Sequence, residues 1–196
     1  MNAPATVETT PWNVPNALTT LRIVLVPVFA WALLAHPDSP AWRFGTAVLF
    51  TAAILTDTLD GHLARKYDLV TSFGKLADPI ADKALTGMAF IGLSVLGELW
   101  WWVTIVILVR EWGITVLRFV VIRYGVIAAD RGGKAKTALQ AVALTLYLLP
   151  FLMVPGLAWV HVVAQVLMAV AFLLTVLTGA NYIRSALRLR RGAAAA

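Results

Sequence analysis

Two pairs of carboxylates are the residues of this chain best suited to chemistry. Asp57 and Asp60 stand three residues apart and Asp78 and Asp82 four apart, so on helical backbone each pair shares one face. Together they are four of the ten acidic residues in the sequence. Like charges at such spacing destabilise an isolated helix, and beside a bilayer they cost more, so a cation is expected between the pairs. Carboxylate oxygens suit a hard divalent ion such as Mg2+ or Mn2+. There is no cysteine, and the only imidazole nearby is His62. Thiolate metal sites, thiol nucleophiles and disulfides are therefore excluded. His36 and His161 have no second histidine at metal-ligand spacing.

These acids must be positioned by a membrane fold. Hydrophobic residues make up 60% of the 196 and charged residues 13%, with a mean hydropathy of +0.81, outside the range of soluble domains. Six apolar segments can be drawn, each close to the roughly 20 residues that a spanning helix needs. They cover residues 16–34, 42–64, 73–96, 99–122, 137–154 and 157–183. The expected architecture is all-α, with six transmembrane helices in one domain over 16–183. A cytoplasmic segment at 1–15 precedes it and a basic tail at 184–196 follows. Residues 1–15 contain no Lys or Arg and so lack the basic region of a secretory signal. Trp100, Trp101 and Trp102 open the fourth segment, as expected at a membrane interface.

Charge orients the segments. Arg65, Lys66, Lys75, Arg118, Arg123, Arg131, Lys134, Lys136, Arg184, Arg188, Arg190 and Arg191 fall in the connections after segments two and four and at the C-terminus. The opposite connections hold only Arg43. The positive-inside rule then places both termini and the acidic stretch in the cytoplasm. The net charge of +6 reads as topology and anionic-lipid contact rather than as nucleic-acid binding. An antiparallel hairpin of segments two and three would bring the Asp pairs face to face at the inner mouth of the bundle. Gly61 and Ala64 keep that face low, and Gly74 does the same on the facing helix.

Other candidates admit two readings each. Arg110 and Glu111 lie halfway along segment four, where charge is costly, and Glu111, Thr115 and Arg118 share a helical face. They form either an internal ion pair that fixes helix packing, or part of a phosphate pocket built from Arg110, Arg118, Lys134 and Lys136. Asn16, Thr19 and Arg22 are either a helix start with a snorkelling Arg or part of the cavity lining. Paired intramembrane Asp could also line the path of a divalent-cation transporter. Against that, all four acids cluster at one membrane face, and no acid continues outward through segments two and three.

The spacing Asp57-x2-Asp60-Gly61-x2-Ala64-Arg65-x8-Gly74-x3-Asp78-x3-Asp82 resembles the signature of the CDP-alcohol phosphotransferase family at all eight specified positions. Asn16, Leu18, Thr19 and Arg22, then Arg110-Glu111, then Gly133-Lys134-x-Lys136-Thr137-Ala138-Leu139-Gln140 resemble its bacterial phosphatidylglycerophosphate synthase branch. The resemblance implies a multi-pass enzyme of the bacterial inner membrane, commonly a homodimer, with its active site facing the cytoplasm. It implies transfer of a phosphatidyl group from CDP-diacylglycerol to sn-glycerol 3-phosphate, with release of CMP and with two divalent cations, Mg2+ or Mn2+. On that pattern Asp57, Asp60 and Asp78 are metal ligands, and Asp82 closes the metal site and serves as general base. Asp57, Gly61, Ala64, Arg65 and Gly74 would hold the CDP-lipid. The basic set Arg110, Arg118, Lys134 and Lys136 would hold the acceptor phosphate. Inositol phosphate and phosphatidylglycerol remain open as acceptors, because each also carries phosphate.

Overall fold

A computed structural model describes residues 14–66, 72–121 and 131–194; among these, the side chains of 14–16, 57–66, 72–79, Asp82, Arg131 and 192–194 are not described. The described residues form six α-helices and one short 3-10 turn: α1 (Val14–Ala35), α2 (Pro40–Lys66), α3 (Ser72–Val95), α4 (Trp101–Val121), α5 (Arg131–Leu148), the 3-10 turn (Phe151–Met153) and α6 (Ala158–Ala194). The expected all-α architecture is therefore found, with no strand among the described residues.

Local chemistry sets the helix ends. Ser39 caps α2, its Oγ accepting from the Trp42 amide at 3.4 Å, and Pro40 takes the first helical position, where a missing N–H does least harm. The chain leaves α3 through Gly97, whose φ of +75° is open to glycine at no steric penalty. There the Glu98 amide donates to the Leu93 carbonyl at 2.9 Å and the Gly97 amide to Ser94 at 3.1 Å. Helix α5 stops at Leu148 rather than running to residue 154, because Pro150 disfavours helical backbone just before it. At its other end α5 begins at Arg131, ahead of the expected Thr137 and through Gly132 and Gly133. Helix α6 continues eleven residues beyond the expected 183, to 194, so most of the basic tail is helical. Ala, Leu and Arg favour that continuation, and Arg191 in the last turn complements the helix dipole.

Helix α1 packs broadly against α3 and α2, α5 against α6, and α4 against α6 and α3, while α2 also meets α5. Among the described residues α2 and α3 touch each other only lightly. Phe29, Leu33, Phe50, Leu85, Phe90, Leu93, Ile107 and Leu144 fill the core. Phe29 and Phe50 hold their ring centroids 5.5 Å apart. Gly92 lets α1 and α3 close together: a Cβ there would lie 2.3 Å from Leu33 Cδ2. Polar pairs bridge helices inside this layer, with Ser94 and Thr104 hydroxyls at 2.7 Å and Thr51 and Thr145 at 3.3 Å.

The two ends of the bundle differ in what they hold. At one end Arg43, buried within α2, makes a bidentate pair with Glu98 at 2.6 and 2.7 Å. It also donates to the carbonyls of Tyr147 at 2.7 Å and Leu148 at 3.1 Å, which the end of α5 leaves without helical partners. One side chain thus clamps α2, the α3–α4 turn and α5. The acidic stretch starts about 21 Å farther along α2, at Asp57, since each helical residue rises about 1.5 Å.

Three described stretches are long and apolar enough to cross a membrane: Ala17–Ala35, Gly132–Met153 and Ala158–Arg191. Charges interrupt the others. In α3 they leave a shorter apolar stretch, Lys83–Val95, and in α4 Arg110 and Glu111 sit at mid-helix. The outer faces are apolar: Val28 and Trp31 on α1, Trp101, Trp102 and Val109 on α4, and Val166 and Leu173 on α6 are all exposed, as is Trp100 just before α4. Such surfaces fit a lipid solvent.

Candidate active site

The backbone supplies what the acid spacing requires. Helix α2 runs unbroken through Asp57, Asp60, Gly61, Ala64 and Arg65 to Lys66, and α3 runs unbroken through Gly74, Asp78 and Asp82. Each Asp pair therefore occupies one face of a real helix. The side chains of these eight residues lie outside the described ones, as does the expected face-to-face approach of the pairs. Four carboxylates on two helices make an all-oxygen donor set, which fits a hard divalent cation. Among the described residues there is no other group of three or more potential metal ligands.

Next to this stretch stands a cluster that can be seen in full. The Glu111 carboxylate on α4 accepts from Lys83 of α3 at 3.1 Å, from its neighbour Arg110 at 2.9 Å, and from Lys136 of α5. Lys136 is only 3% exposed, and Lys83, Arg110 and Glu111 are largely buried. Arg110 reaches on to α6, donating to Thr178 Oγ1 at 2.8 Å, while its Nε is buried with no hydrogen-bond partner among the described residues. Its stem crosses α6 over Gly179, where a Cβ would come within 3.0 Å of Nε and 3.1 Å of Cγ. One turn beyond Lys136, the buried Gln140 amide donates to Thr175 Oγ1 at 3.0 Å. Four helices are therefore tied together through one carboxylate and two threonines.

The cluster borders a cavity of about 50 Å3, to which Lys83, Thr86, Glu111, Thr137 and Gln140 contribute polar groups and Ile54, Phe90 and Trp112 apolar walls. Ile54 is three residues before Asp57, and Lys83 directly follows Asp82. The cavity thus adjoins both acid-bearing helices, with room for several water-sized groups.

Of the four basic residues grouped from sequence, the structure brings Arg110 and Lys136 together on Glu111. It leaves the other two apart. Lys134 is exposed, and Arg118, two turns along α4, is exposed with its guanidinium 6.0 Å from the centre of the Tyr182 ring. Lys134 and Lys136 are two residues apart and so face opposite sides of α5; only one of them could turn inward. Thr19 and Arg22 are both buried on one face of α1 and engaged with neighbours, while Asn16 stands in the first turn of that helix. Lys83, Thr178 and the inward-facing Gln140 were not foreseen as parts of the site. Gln140 could have been, since it lies one turn from Lys136 on the same face.

A family model described as CDP-alcohol phosphatidyltransferase matches residues 12–177. The chain is 54% identical over 177 residues to a protein of Mycobacterium tuberculosis (strain CDC 1551 / Oshkosh) named "Probable phosphatidylglycerophosphate synthase", spanning 90% of this chain and 82% of that protein. It is 39% identical over 185 residues to a Bacillus subtilis (strain 168) protein and 38% identical over 174 residues to one from Rickettsia felis. These matches cover 87% and 88% of this chain and 93% and 94% of the relatives. Both relatives are named "CDP-diacylglycerol--glycerol-3-phosphate 3-phosphatidyltransferase".

Proposed function

We propose that this chain, which belongs to the CDP-alcohol phosphatidyltransferase family, transfers the phosphatidyl group of CDP-diacylglycerol to sn-glycerol 3-phosphate, giving phosphatidylglycerophosphate and CMP. The observation that carries the reading is likeness to relatives so named over nearly the whole chain, with all eight signature positions present.

In this reading the acceptor hydroxyl oxygen attacks the β-phosphorus of the CDP-lipid. A new O–P bond forms, the bond from that phosphorus to the bridging oxygen breaks, and CMP leaves with the electron pair. Asp82 takes the hydroxyl proton, a task for a carboxylate within hydrogen-bond reach of the acceptor. Gly61, Ala64 and Gly74 leave room for the nucleotide to lie close to the helices, and Arg65 supplies positive charge for its phosphates. Arg110 and Lys136 hold the acceptor phosphate, while Lys134 and Arg118 are exposed and stand apart from them. Asp57, Asp60 and Asp78, closed by Asp82, would hold two divalent cations, Mg2+ or Mn2+. Such ions, when bound, neutralise charge developing on the pyrophosphate as CMP departs.

The same reading places six spans in the bacterial cytoplasmic membrane, with both termini and the acidic stretch on the cytoplasmic side. The basic residues between segments support that orientation, and the apolar outer faces of α1, α4 and α6 support the bilayer setting. A homodimer follows from the family resemblance alone.

The test is direct. Membranes bearing the protein, supplied with CDP-diacylglycerol and Mg2+, are offered labelled glycerol 3-phosphate, inositol phosphate or phosphatidylglycerol. Label from glycerol 3-phosphate should enter the lipid phase with stoichiometric CMP. Transfer to either other acceptor in its place refutes the assignment.

A further inference from the structure

The geometry points to Glu111 as a positioning residue that assembles the acceptor's phosphate seat and couples it to the helix bearing the general base. The inference rests on the reading of the acceptor as a phosphate monoester, and adds Glu111 and Lys83 to the residues that serve it.

The first observation is charge. Glu111 is the common partner of Lys83, Arg110 and Lys136, which leaves an excess of two positive charges among these largely buried side chains. An ion pair made only to join helices gains nothing from surplus cations, because each one repels the others at short range and loses solvation. The surplus is explained by an anionic occupant. A phosphate monoester carries about −1.5 to −2 near neutral pH, so it balances the excess where a diester, with one charge, does not.

The second observation is open space. Lys83 and Glu111 line the cavity together with Thr137 and Gln140, and Arg110 and Lys136 reach Glu111 from behind that wall. The third is connectivity. Lys83 follows Asp82 on α3, and its ammonium is anchored to the same carboxylate that holds Lys136 of α5. Glu111 thereby fixes the distance between the base-bearing helix and the cations that would seat the phosphate. In its absence Lys136 loses its carboxylate partner, and Arg110 keeps only the bond to Thr178.

The experiment measures both Michaelis constants for the full-length enzyme in detergent–lipid micelles. Glu111→Gln should raise KM for glycerol 3-phosphate about ten-fold or more, the scale of a lost charge-assisted hydrogen bond, with KM for CDP-diacylglycerol changed less than about two-fold. Glu111→Asp should recover part of that loss. If Glu111→Gln does not fold, Lys83→Met serves, since Arg110 and Lys136 still neutralise Glu111; it should raise the acceptor KM about three-fold or more. A merely structural Glu111 would disturb both constants alike or neither. Wild-type acceptor KM in folded Glu111→Gln, or in Lys83→Met where that variant is the one that folds, overturns the inference while leaving the transferase reading intact. A wild-type enzyme that does not use glycerol 3-phosphate at all overturns the reading beneath it.

Discussion

Gly179→Ala isolates the acceptor seat from the stability of the fold. Gly179 lies inside α6, where glycine costs about 1 kcal/mol relative to alanine, so the substitution favours the helix itself. Against that gain stands Arg110. The added Cβ would meet Nε at 3.0 Å, Cγ at 3.1 Å and Cδ at 3.6 Å, so the arginine stem must retreat by a few tenths of an ångström. Retreat strains the 2.8 Å bond to Thr178, a charge-assisted contact worth about 1.5–3 kcal/mol when fully made. Because the bond is distorted rather than deleted, the two effects should nearly offset, and the melting temperature should move by less than about 4 °C. Position is less forgiving than stability, since small misplacements of a binding group propagate strongly to the bound geometry. The acceptor KM should rise about three- to ten-fold, with the CDP-diacylglycerol KM within about two-fold. Thermal unfolding and initial rates with each substrate varied in turn decide the matter. A variant more stable by about 1 kcal/mol with unchanged acceptor KM would show that Arg110 is not seated by Gly179, or does not meet the acceptor.

Three further outcomes are expected. Asp82→Asn should leave metal and CDP-lipid binding nearly intact, since Asp57, Asp60 and Asp78 remain, as read by manganese titration and by lipid competition, while turnover falls by about 100-fold or more; substantial residual activity removes Asp82 as the base. Chelation with EDTA should abolish transfer, and Mg2+ or Mn2+ should restore it. Persistence of activity in the chelated enzyme would contradict the reading of the four Asp as metal ligands. Arg43→Leu, at the opposite end of the bundle, should destabilise by about 3 kcal/mol, because it strands Glu98 and the terminal carbonyls of α5. Both Michaelis constants should stay near wild type at temperatures where that variant is folded.

Much of the architecture can be read directly from hydropathy. The expected segments 16–34, 42–64, 73–96 and 99–122 overlie α1 to α4 to within about two residues at each end, because prolines, charge runs and the Gly97 turn punctuate them. The C-terminal half is less legible for physical reasons. Hydropathy ends where the arginines begin, but helicity does not, so α6 runs on through Arg184 and Arg188. The Gly132–Gly133 pair looks like a break, yet the chain keeps helical backbone through it and so presents Lys136 and Gln140 on the buried face of α5.

The site shows the same division. Periodicity reveals which residues share a face of one helix, so the two Asp pairs are legible, as is the kinship of Glu111, Thr115 and Arg118. It is silent about which faces meet. That Lys83, three turns into α3, should share a carboxylate with Lys136 of α5 depends on the way α3, α4 and α5 close around one cavity. Arg118 illustrates the converse. It lies on the Glu111 face, but about 10 Å farther along α4, where it finds the Tyr182 ring rather than the carboxylate. Helix spacing therefore supplies the direction of a charged side chain, and only the packing of the bundle supplies its partner. A buried carboxylate that collects cations from three helices is where those two kinds of information meet.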